Sequence, residues 1–481
     1  MGRLLCRLFA LIGLVLLAGV LWVAARIVLP SQRDDRQRTA TKLDYLDEIA
    51  DLAPTTGPRP NLVLILFDDL GYGDLGAYGS ASVRTPSLDR LAAEGAMFRH
   101  GYAASPYCSA SRAGLLTGRY AVRSGLDHVV QAPWTWRDLL LRAGGRNRRL
   151  PLEEITLAEV LSAAGYATAI FGKWHLGDAS PSLPHERGFD EFYGLLHSND
   201  QGRPVVRRDG EIVERHPIDQ AGLTRRYTDE AVRFLEQNAE RPFFLYLPHT
   251  FPHVPLHAPA ERRGTSEGGL YGDVVEELDA SVGRVLETLE RLGLADNTMV
   301  VATSDNGPWF QGSGGGVRGR KMEVFEGGTR VPLIVRWPGR VVAEQVIDTP
   351  VTGLDLFPTM LDATALPAPE DRLLDGASML PLLSGETPAD ERQIWYFQIG
   401  VLRAVRAGRF KYHDRHRLLY GNPMDWPVAP FVDRGPWLFD LELDPDESYD
   451  VGERHPARAR DLETLLLEQR RELADNPRGW L

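Results

Sequence analysis

Two adjacent carboxylates, Asp68 and Asp69, stand directly after a six-residue apolar run, Leu62 to Phe67. A second polar group, Ser304-Asp305-Asn306-Gly307, follows a similar run at Met299 to Ala302. Three carboxylates and an amide oxygen form an all-oxygen set suited to a hard cation, Ca2+ or Mg2+. Either pair alone fits a turn or a helix cap equally well; their recurrence at the ends of two runs favours metal. Lysine is scarce: Lys42, Lys173, Lys321 and Lys411 are the four among 54 basic residues. Lys173 lies in Phe171-Gly-Lys-Trp-His175, beyond a third run, and Lys321 in Val-Arg-Gly-Arg-Lys-Met-Glu. His249 and His253 follow a fourth run, in Pro248-His-Thr-Phe-Pro-His-Val-Pro255. A lone histidine is commonly structural and a lone lysine a solvated charge. Lysines placed this way instead favour an anion site, where fixed positive charge stabilises an oxyanion. Cys108-Ser-Ala-Ser-Arg112 opens a helix-forming segment, which puts the thiol at a helix N-terminus beside Arg112, with Ser109 or Ser111 as cap. Free N–H groups and the helix dipole there favour a nucleophile and a bound anion.

The elements that must hold these residues alternate along the chain. Leu62 to Phe67, Ala167 to Phe171, Phe243 to Leu247 and Met299 to Ala302 are runs of the kind buried on both faces of a parallel sheet, and Pro332 to Trp337 is a weaker member. Thr156-Leu-Ala-Glu159 is a capping box, followed by Leu157, Val160, Leu161 and Ala164 at helical spacing and closed by Gly165. Val274, Val275, Leu278, Val282, Val285, Leu286 and Leu289 stripe a second helix that Gly293 ends. This order predicts an α/β sandwich with a large mixed, mostly parallel sheet flanked by helices. Ligands of such sheets bind past the carboxyl ends of the strands, where the residues above stand. Short strand-like pieces at Leu402 to Tyr412 and Trp437 to Leu443, in a Trp- and Pro-rich region, precede an amphipathic helix at Arg458 to Asp475. They predict a small C-terminal antiparallel subdomain over 390–481, after a main domain over 61–389.

Composition sets the limits. With 43% apolar and 25% charged residues in 481, the chain can bury a large core, and disordered and fibrous classes are excluded. A formal net charge of -12 opposes sequence-independent nucleic-acid binding. Leu8 to Ala25 is uncharged, with Arg3 and Arg7 before it and Arg26 after it. It is longer than a signal-peptide core of about 7–15 residues and near the ~20 needed to cross a bilayer. Residues 1–30 are thus expected to be a membrane anchor, or else a signal peptide, and the polar segment 31–60 a tether. The body is placed outside the cytoplasm, periplasmic or extracellular. Cys6 lies in the N-terminal segment, which leaves Cys108 as the one thiol of the body and allows no disulfide within it.

Cys108-Ser-Ala-Ser-Arg112, with Ala-Gly-Leu-Leu-Thr-Gly-Arg119 behind it, resembles the signature of the type I sulfatases, Cys-x-Pro-Ser-Arg followed by Leu-Thr-Gly-Arg. Asp68-Asp69, Gly172-Lys-Trp-His175, His253-Val-Pro, Ser304-Asp-Asn-Gly307 and Gly319-Arg-Lys321 match that family's pattern in order, and the likeness runs from about residue 60 to 480. Leu150-Pro-Leu-Glu-Glu-Ile-Thr156 and His197-Ser198-Asn-Asp-Gln are most similar to arylsulfatase A relatives. One position departs: Ala110 stands where proline is usual.

The resemblance implies an alkaline-phosphatase-like sandwich that hydrolyses a sulfate monoester, of an aryl group or a carbohydrate, releasing inorganic sulfate. It implies that Cys108 is oxidised to formylglycine by an oxygen-dependent or a radical maturation enzyme, the alanine form resembling substrates of the radical route. A diol oxygen of the hydrate then attacks sulfur, and the covalent sulfate is released by collapse to the aldehyde. By the same likeness Asp68, Asp69, Asp305 and Asn306, with residue 108 itself, hold one Ca2+, or Mg2+. Arg112 and Lys173 orient the diol, His175 takes its proton, and Lys321, His253 and Ser198 bind sulfate oxygens and assist the leaving alcohol. Two other readings remain: a phosphodiester or phosphonate ester hydrolase with the same nucleophile and metal, and a non-catalytic protein that binds sulfated glycans through an unmodified Cys108. Trp134, Trp136 and the arginines of Val122 to Arg149 are open to stacking on a substrate ring or to lying on a solvated loop.

Overall fold

The computed structural model describes residues 2–28, 34–52, 59–386, 391–414, 416–419 and 431–481. Among them the main sheet has ten strands: β1 (Asn61–Phe67), β2 (Ala96–Phe98), β4 (Ala167–Lys173), β5 (Glu191–Leu195), β6 (Val206–Arg208), β7 (Glu211–Glu214), β8 (Phe243–Pro248), β9 (Thr298–Ser304), β10 (Leu333–Arg336) and β11 (Gln345–Ile347). They lie in the order β11-β2-β10-β9-β1-β8-β4-β5-β6-β7. The five strands from β9 to β5 run parallel, and antiparallel pairs flank them at β9–β10 and β5–β6. The first four apolar runs of the sequence fall on the parallel strands β1, β4, β8 and β9 as expected, while the weaker fifth, 332–337, falls on β10, which runs antiparallel to β9.

The alternation along β1 divides the core. Leu62, Leu64 and Leu66 pack on one side with α4 (Cys108–Thr117), α7 (Leu157–Ala163) and α11 (Leu356–Ala363). Val63, Ile65 and Phe67 pack on the other with α3 (Pro86–Ala93), α8 (Leu223–Gln237) and α9 (Gly269–Arg291). A strand covered on both faces has no polar side to show, which is why it reads as an unbroken apolar run. The capping box of α7 is formed: Thr156 Oγ1 accepts from the Glu159 backbone N–H at 3.2 Å, and Glu159 Oε2 accepts from that of Thr156 at 2.8 Å. The α9 stripe is buried, and Gly293 follows the helix with φ +70°.

A short parallel pair, β3 (Gly101–Tyr102) with β12 (Val351–Thr352), lies outside the main sheet. In the C-terminal part, β13 (Gln393–Gln398), β14 (Val401–Ala407), β15 (Phe410–His413) and β18 (Trp437–Asp440) form an antiparallel sheet beside α13 (Pro456–Asp475), with a hairpin of β16 (His416–Leu419) and β17 (Phe431–Arg434). The single piece expected at 402–412 is two strands, because Gly408, at φ +58°, turns the chain between them. Part of the Trp- and Pro-rich stretch lies outside the described residues. The sheet is joined to the body by buried charges: Lys411 Nζ is 2.9 Å from Glu326 Oε1 and 3.3 Å from Glu447 Oε1, and Glu447 Oε2 accepts from the Glu326 backbone N–H at 2.6 Å.

At the other end α1 (Gly2–Val28) carries the apolar stretch Leu11–Val28, none of it packed inside the molecule. The segment expected to be a tether is in part a docked helix. Within it, α2 (Arg36–Asp51) is capped by Asp35, whose Oδ1 accepts from the Arg38 N–H at 3.1 Å. Ile49 joins the core, and the buried Lys42 ammonium donates to Leu152 O, Glu154 O and Glu159 Oε1 at 2.8, 3.0 and 2.6 Å. A mostly polar helix with two buried anchors, and Tyr45 and Leu46 partly buried between them, resembles a linker in composition, which is why sequence reasoning passed over it. Residues 29–33 and 53–58 of that stretch lie outside the described residues.

Candidate active site

The carboxyl ends of β1, β9, β8 and β4 open on one edge of the sheet. Phe67 pairs with Ser304 across β1–β9, so the next residues on each strand, Asp68-Asp69 and Asp305-Asn306, come level. Asp69 N–H donates to Asp305 Oδ1 at 3.2 Å, and Asn306 Nδ2 to Asp69 Oδ1 at 2.7 Å. Asp69 makes its turn at φ +70°. All four residues are buried, and Asp69 Oδ2 and Asn306 Oδ1 have no hydrogen-bond partner among the described residues. Buried oxygens are seldom left in that state. Two unpaired oxygens within an acidic, oxygen-rich set are the donors a hard divalent cation takes, so the residues fit such an ion. Asp68, Asp69, Cys108 and His253 each bring a ligand atom within 4.8 Å of the others.

Cys108 is the first residue of α4. The serine cap expected from Ser109 or Ser111 is not formed: the N-cap is Tyr107, without a side-chain bond, and Ser109 Oγ instead accepts from the Val130 N–H at 2.9 Å. Arg112, one turn on and fully buried, bonds Asp305 Oδ2 through Nε at 2.9 Å and Lys173 O through Nη1 at 2.6 Å, with Nη2 3.4 Å from Asp68 Oδ2. Lys173 Nζ meets Asp68 Oδ2 at 2.5 Å and Ser198 Oγ at 3.1 Å. Lys321 Nζ stands 2.6 Å from Asp69 Oδ1 and 3.0 Å from Cys108 Sγ, and the sulfur is 3.6 Å from Asp68 Oδ1. His253 Nε2 lies 3.4 Å from Ser198 Oγ and 3.8 Å from Asp69 Oδ2.

Thus Cys108, Arg112, Lys173, Ser198, His253, Lys321, Asp68, Asp69, Asp305 and Asn306 come together. His175 stands one step back: its Nε2 is 2.9 Å from Val130 O and its Nδ1 has no partner among the described residues. A carbonyl only accepts, so the neutral ring carries its proton on Nε2 and leaves a lone pair on Nδ1.

Burial and charge together set the state of these groups. Burial alone would push the Asp68 carboxyl up, but Lys173, His253, Arg112 and Lys321 outweigh it and hold it well below the usual range. Burial pushes the Cys108 thiol up to about 12, against the pull of Lys173 and Lys321. An unmodified thiol there is protonated at neutral pH, and the thiol form is a poor nucleophile. Burial, with Lys173 next, depresses His175 well below its ordinary value. Burial, with Lys321 next, also lowers His253.

Sequence reasoning missed what supports Lys321. Its loop is held by Met322 N–H to Pro106 O at 3.0 Å and, further along, by Glu326 on Lys411. The rarity of lysine was a signal for Lys411, but that residue lies in no motif.

The Sulfatase family model matches residues 60–366, and a second, for the C-terminal region of N-sulphoglucosamine sulphohydrolase, matches 319–472. The N-acetylgalactosamine-6-sulfatase of Canis lupus familiaris is 41% identical over 402 residues, 78% of this chain and 76% of that one. The steryl-sulfatase of Homo sapiens is 35% identical over 439 residues, 72% of this chain and 74% of that one. The solved structure of a sulfatase from Pseudoalteromonas sp. superposes with a TM-score of 0.76 at 26% identity, covering 92% of this chain and 96% of that one. A family model spanning most of the sheet, and relatives alike over three quarters of their length, account together for the cluster at the strand ends: the chain belongs to the type I sulfatase family and is a sulfuric ester hydrolase.

Proposed function

We propose that this enzyme hydrolyses carbohydrate sulfate monoesters with a formylglycine made from Cys108 and one divalent cation held by Asp68, Asp69, Asp305 and Asn306, Ca2+ before Mg2+. The observation that carries the reading is the Lys321 ammonium 3.0 Å from Cys108 Sγ, above three buried carboxylates. The carbohydrate class is supported by the 41% identity with an N-acetylgalactosamine-6-sulfatase. Export, anchoring by residues 8 to 25, and a division into catalytic 61–389 and C-terminal 390–481 parts belong to the same proposal, the anchor supported by the uncovered Leu11–Val28 helix.

In this reading the hydrated formylglycine supplies a diol oxygen as nucleophile, and the cation supplies positive charge that favours its deprotonation. The chain's own residues do the rest. Arg112 and Lys173 neutralise Asp305 and Asp68 and fix them against the head of α4. Lys321 binds a sulfate oxygen from the side of residue 108 and, with His253 and Ser198, lines the place of the leaving oxygen. His175 holds its free lone pair at Nδ1, the atom suited to take the second diol proton. Asp68, Asp69 and Asp305 balance Arg112, Lys173 and Lys321 in charge, so a divalent ion leaves two positive charges, matched by a monoanionic sulfate ester and a deprotonated nucleophile.

The test is mass spectrometry of the Cys108 peptide from the native cell, paired with turnover of nitrophenyl sulfate and bis-nitrophenyl phosphate. Loss of sulfur with faster sulfate release is expected. An intact thiol without turnover, or a preference for the diester, overturns the reading.

A further inference from the structure

Among the described residues, nothing is folded over the face of α6 (Trp136–Ala143) that carries Trp136 and Leu140. Trp134, just before the helix, and Trp136 and Leu140, one turn apart on it, are 65%, 56% and 63% exposed. The opposite face is locked down. Asp138 is buried and accepts from Trp134 N–H at 2.8 Å, Arg142 Nε at 2.8 Å and Arg148 Nε at 2.7 Å. The exposure of the tryptophans therefore belongs to an ordered surface.

Arg142 ties this face to the apolar N-terminal helix. Its Nη1 donates to Ile27 O at 3.0 Å, at the end of α1, while its guanidinium lies 4.7 Å from the Trp134 ring centroid. Trp22 on α1 is 59% exposed, with the Arg26 guanidinium 4.7 Å over its ring. Arg137, on the exposed side of α6, lies 5.3 Å from the centre of the Trp136 ring. The uncovered apolar surface of the body thus begins where the uncovered apolar helix ends, and cations border the junction. Tryptophan beside arginine at the end of an apolar span is the composition of a membrane–water boundary.

We propose that the Trp134–Trp136–Leu140 face is a membrane contact, seated in the headgroup layer of an anionic bilayer at the body-side end of α1. The inference rests on α1 being a span. The occupant is a bilayer because the face is continuous with a helix whose Leu11–Val28 stretch is not buried among the described residues, and because Arg26 and Arg137 complement anionic headgroups. The contact lies close to the chemistry in sequence: Val130, whose carbonyl holds His175, is four residues before Trp134.

The full chain, reconstituted in phosphatidylcholine–phosphatidylglycerol vesicles with brominated acyl chains, tests this by tryptophan emission. Wild type is compared with Trp134→Phe/Trp136→Phe and with Trp22→Phe, each checked for a wild-type rate on nitrophenyl sulfate. The double variant is expected to lose the larger part of the bromolipid quenching and Trp22→Phe the remainder. If Trp22→Phe removes the quenching and the double variant leaves it unchanged, the α6 contact is overturned while the span stands. Absence of quenching in all three overturns the span, and the contact with it.

Discussion

The Lys321 ammonium bridges Cys108 Sγ at 3.0 Å and Asp69 Oδ1 at 2.6 Å. One cation thus touches both the residue proposed as nucleophile and a carboxylate proposed as ligand. It comes from a loop fixed largely from outside the site.

Lys321→Met should lower kcat/KM on nitrophenyl sulfate about 100-fold or more, the scale of losing one preorganised charge at a developing oxyanion. Steady-state kinetics with circular dichroism checks this; a wild-type rate in the folded variant removes Lys321 from the site.

Metal removal gives an independent reading. Chelation with EDTA should abolish turnover and Ca2+ or Mg2+ restore it, and calorimetry of the chelated protein should show one site. Asp69→Ala and Asn306→Ala should each abolish that binding. Full activity after exhaustive chelation contradicts the ligand assignment.

Lys411→Met should destabilise without touching the chemistry directly. The change leaves Glu326 and Glu447 buried without their ammonium, a loss of about 3–5 kcal/mol for one broken partner of a buried pair. Denaturant unfolding measures it, and an unchanged midpoint refutes the role given to this link.

Glu154 predicts a dependence on acid. Burial alone would raise its carboxyl, but Arg119, Arg478 and Arg372 outweigh it and bring it down to about 2 from 4.5. The folded value is the lower one, so folding favours the ionised form: its contribution is complete above pH 4.5 and vanishes as pH falls toward 2. A shift of that size is about 3 kcal/mol by linkage. Glu154→Gln should melt lower than wild type at neutral pH, and the gap should close on acidification through that window.

Gly172→Ala should be damaging although it alters no reactive group. Gly172 has φ +141° beside Lys173, and a Cβ there would fall 1.9 Å from Pro248 O. A loss of about 3 kcal/mol or more is expected from strain and forced displacement, read from thermal unfolding.

The strands and the site were legible for one reason. β1 is buried on both faces, so its apolar run had no competing reading, and the carboxylates behind it mark the edge where parallel strands end. α9 and the α7 capping box were equally plain because their signals are local. What escaped depends on partners distant in sequence. Nothing near Lys42 announces Glu159, and nothing near Lys411 announces Glu326. Ser109 had the chemistry of a cap, but its oxygen was claimed by the Val130 amide, which only the folded loop brings near.

Cys108 is 2% exposed, enclosed by Asp68, Lys321 and the head of α4. Under the proposed maturation, an enzyme that must grip the peptide around this thiol meets a buried helix start in the folded chain. On that reading conversion precedes the closing of the site, in which Lys321 comes to lie 3.0 Å from the sulfur. By the same reading a molecule that folds unmodified keeps its thiol buried, and the yield of working enzyme follows the order of oxidation and folding.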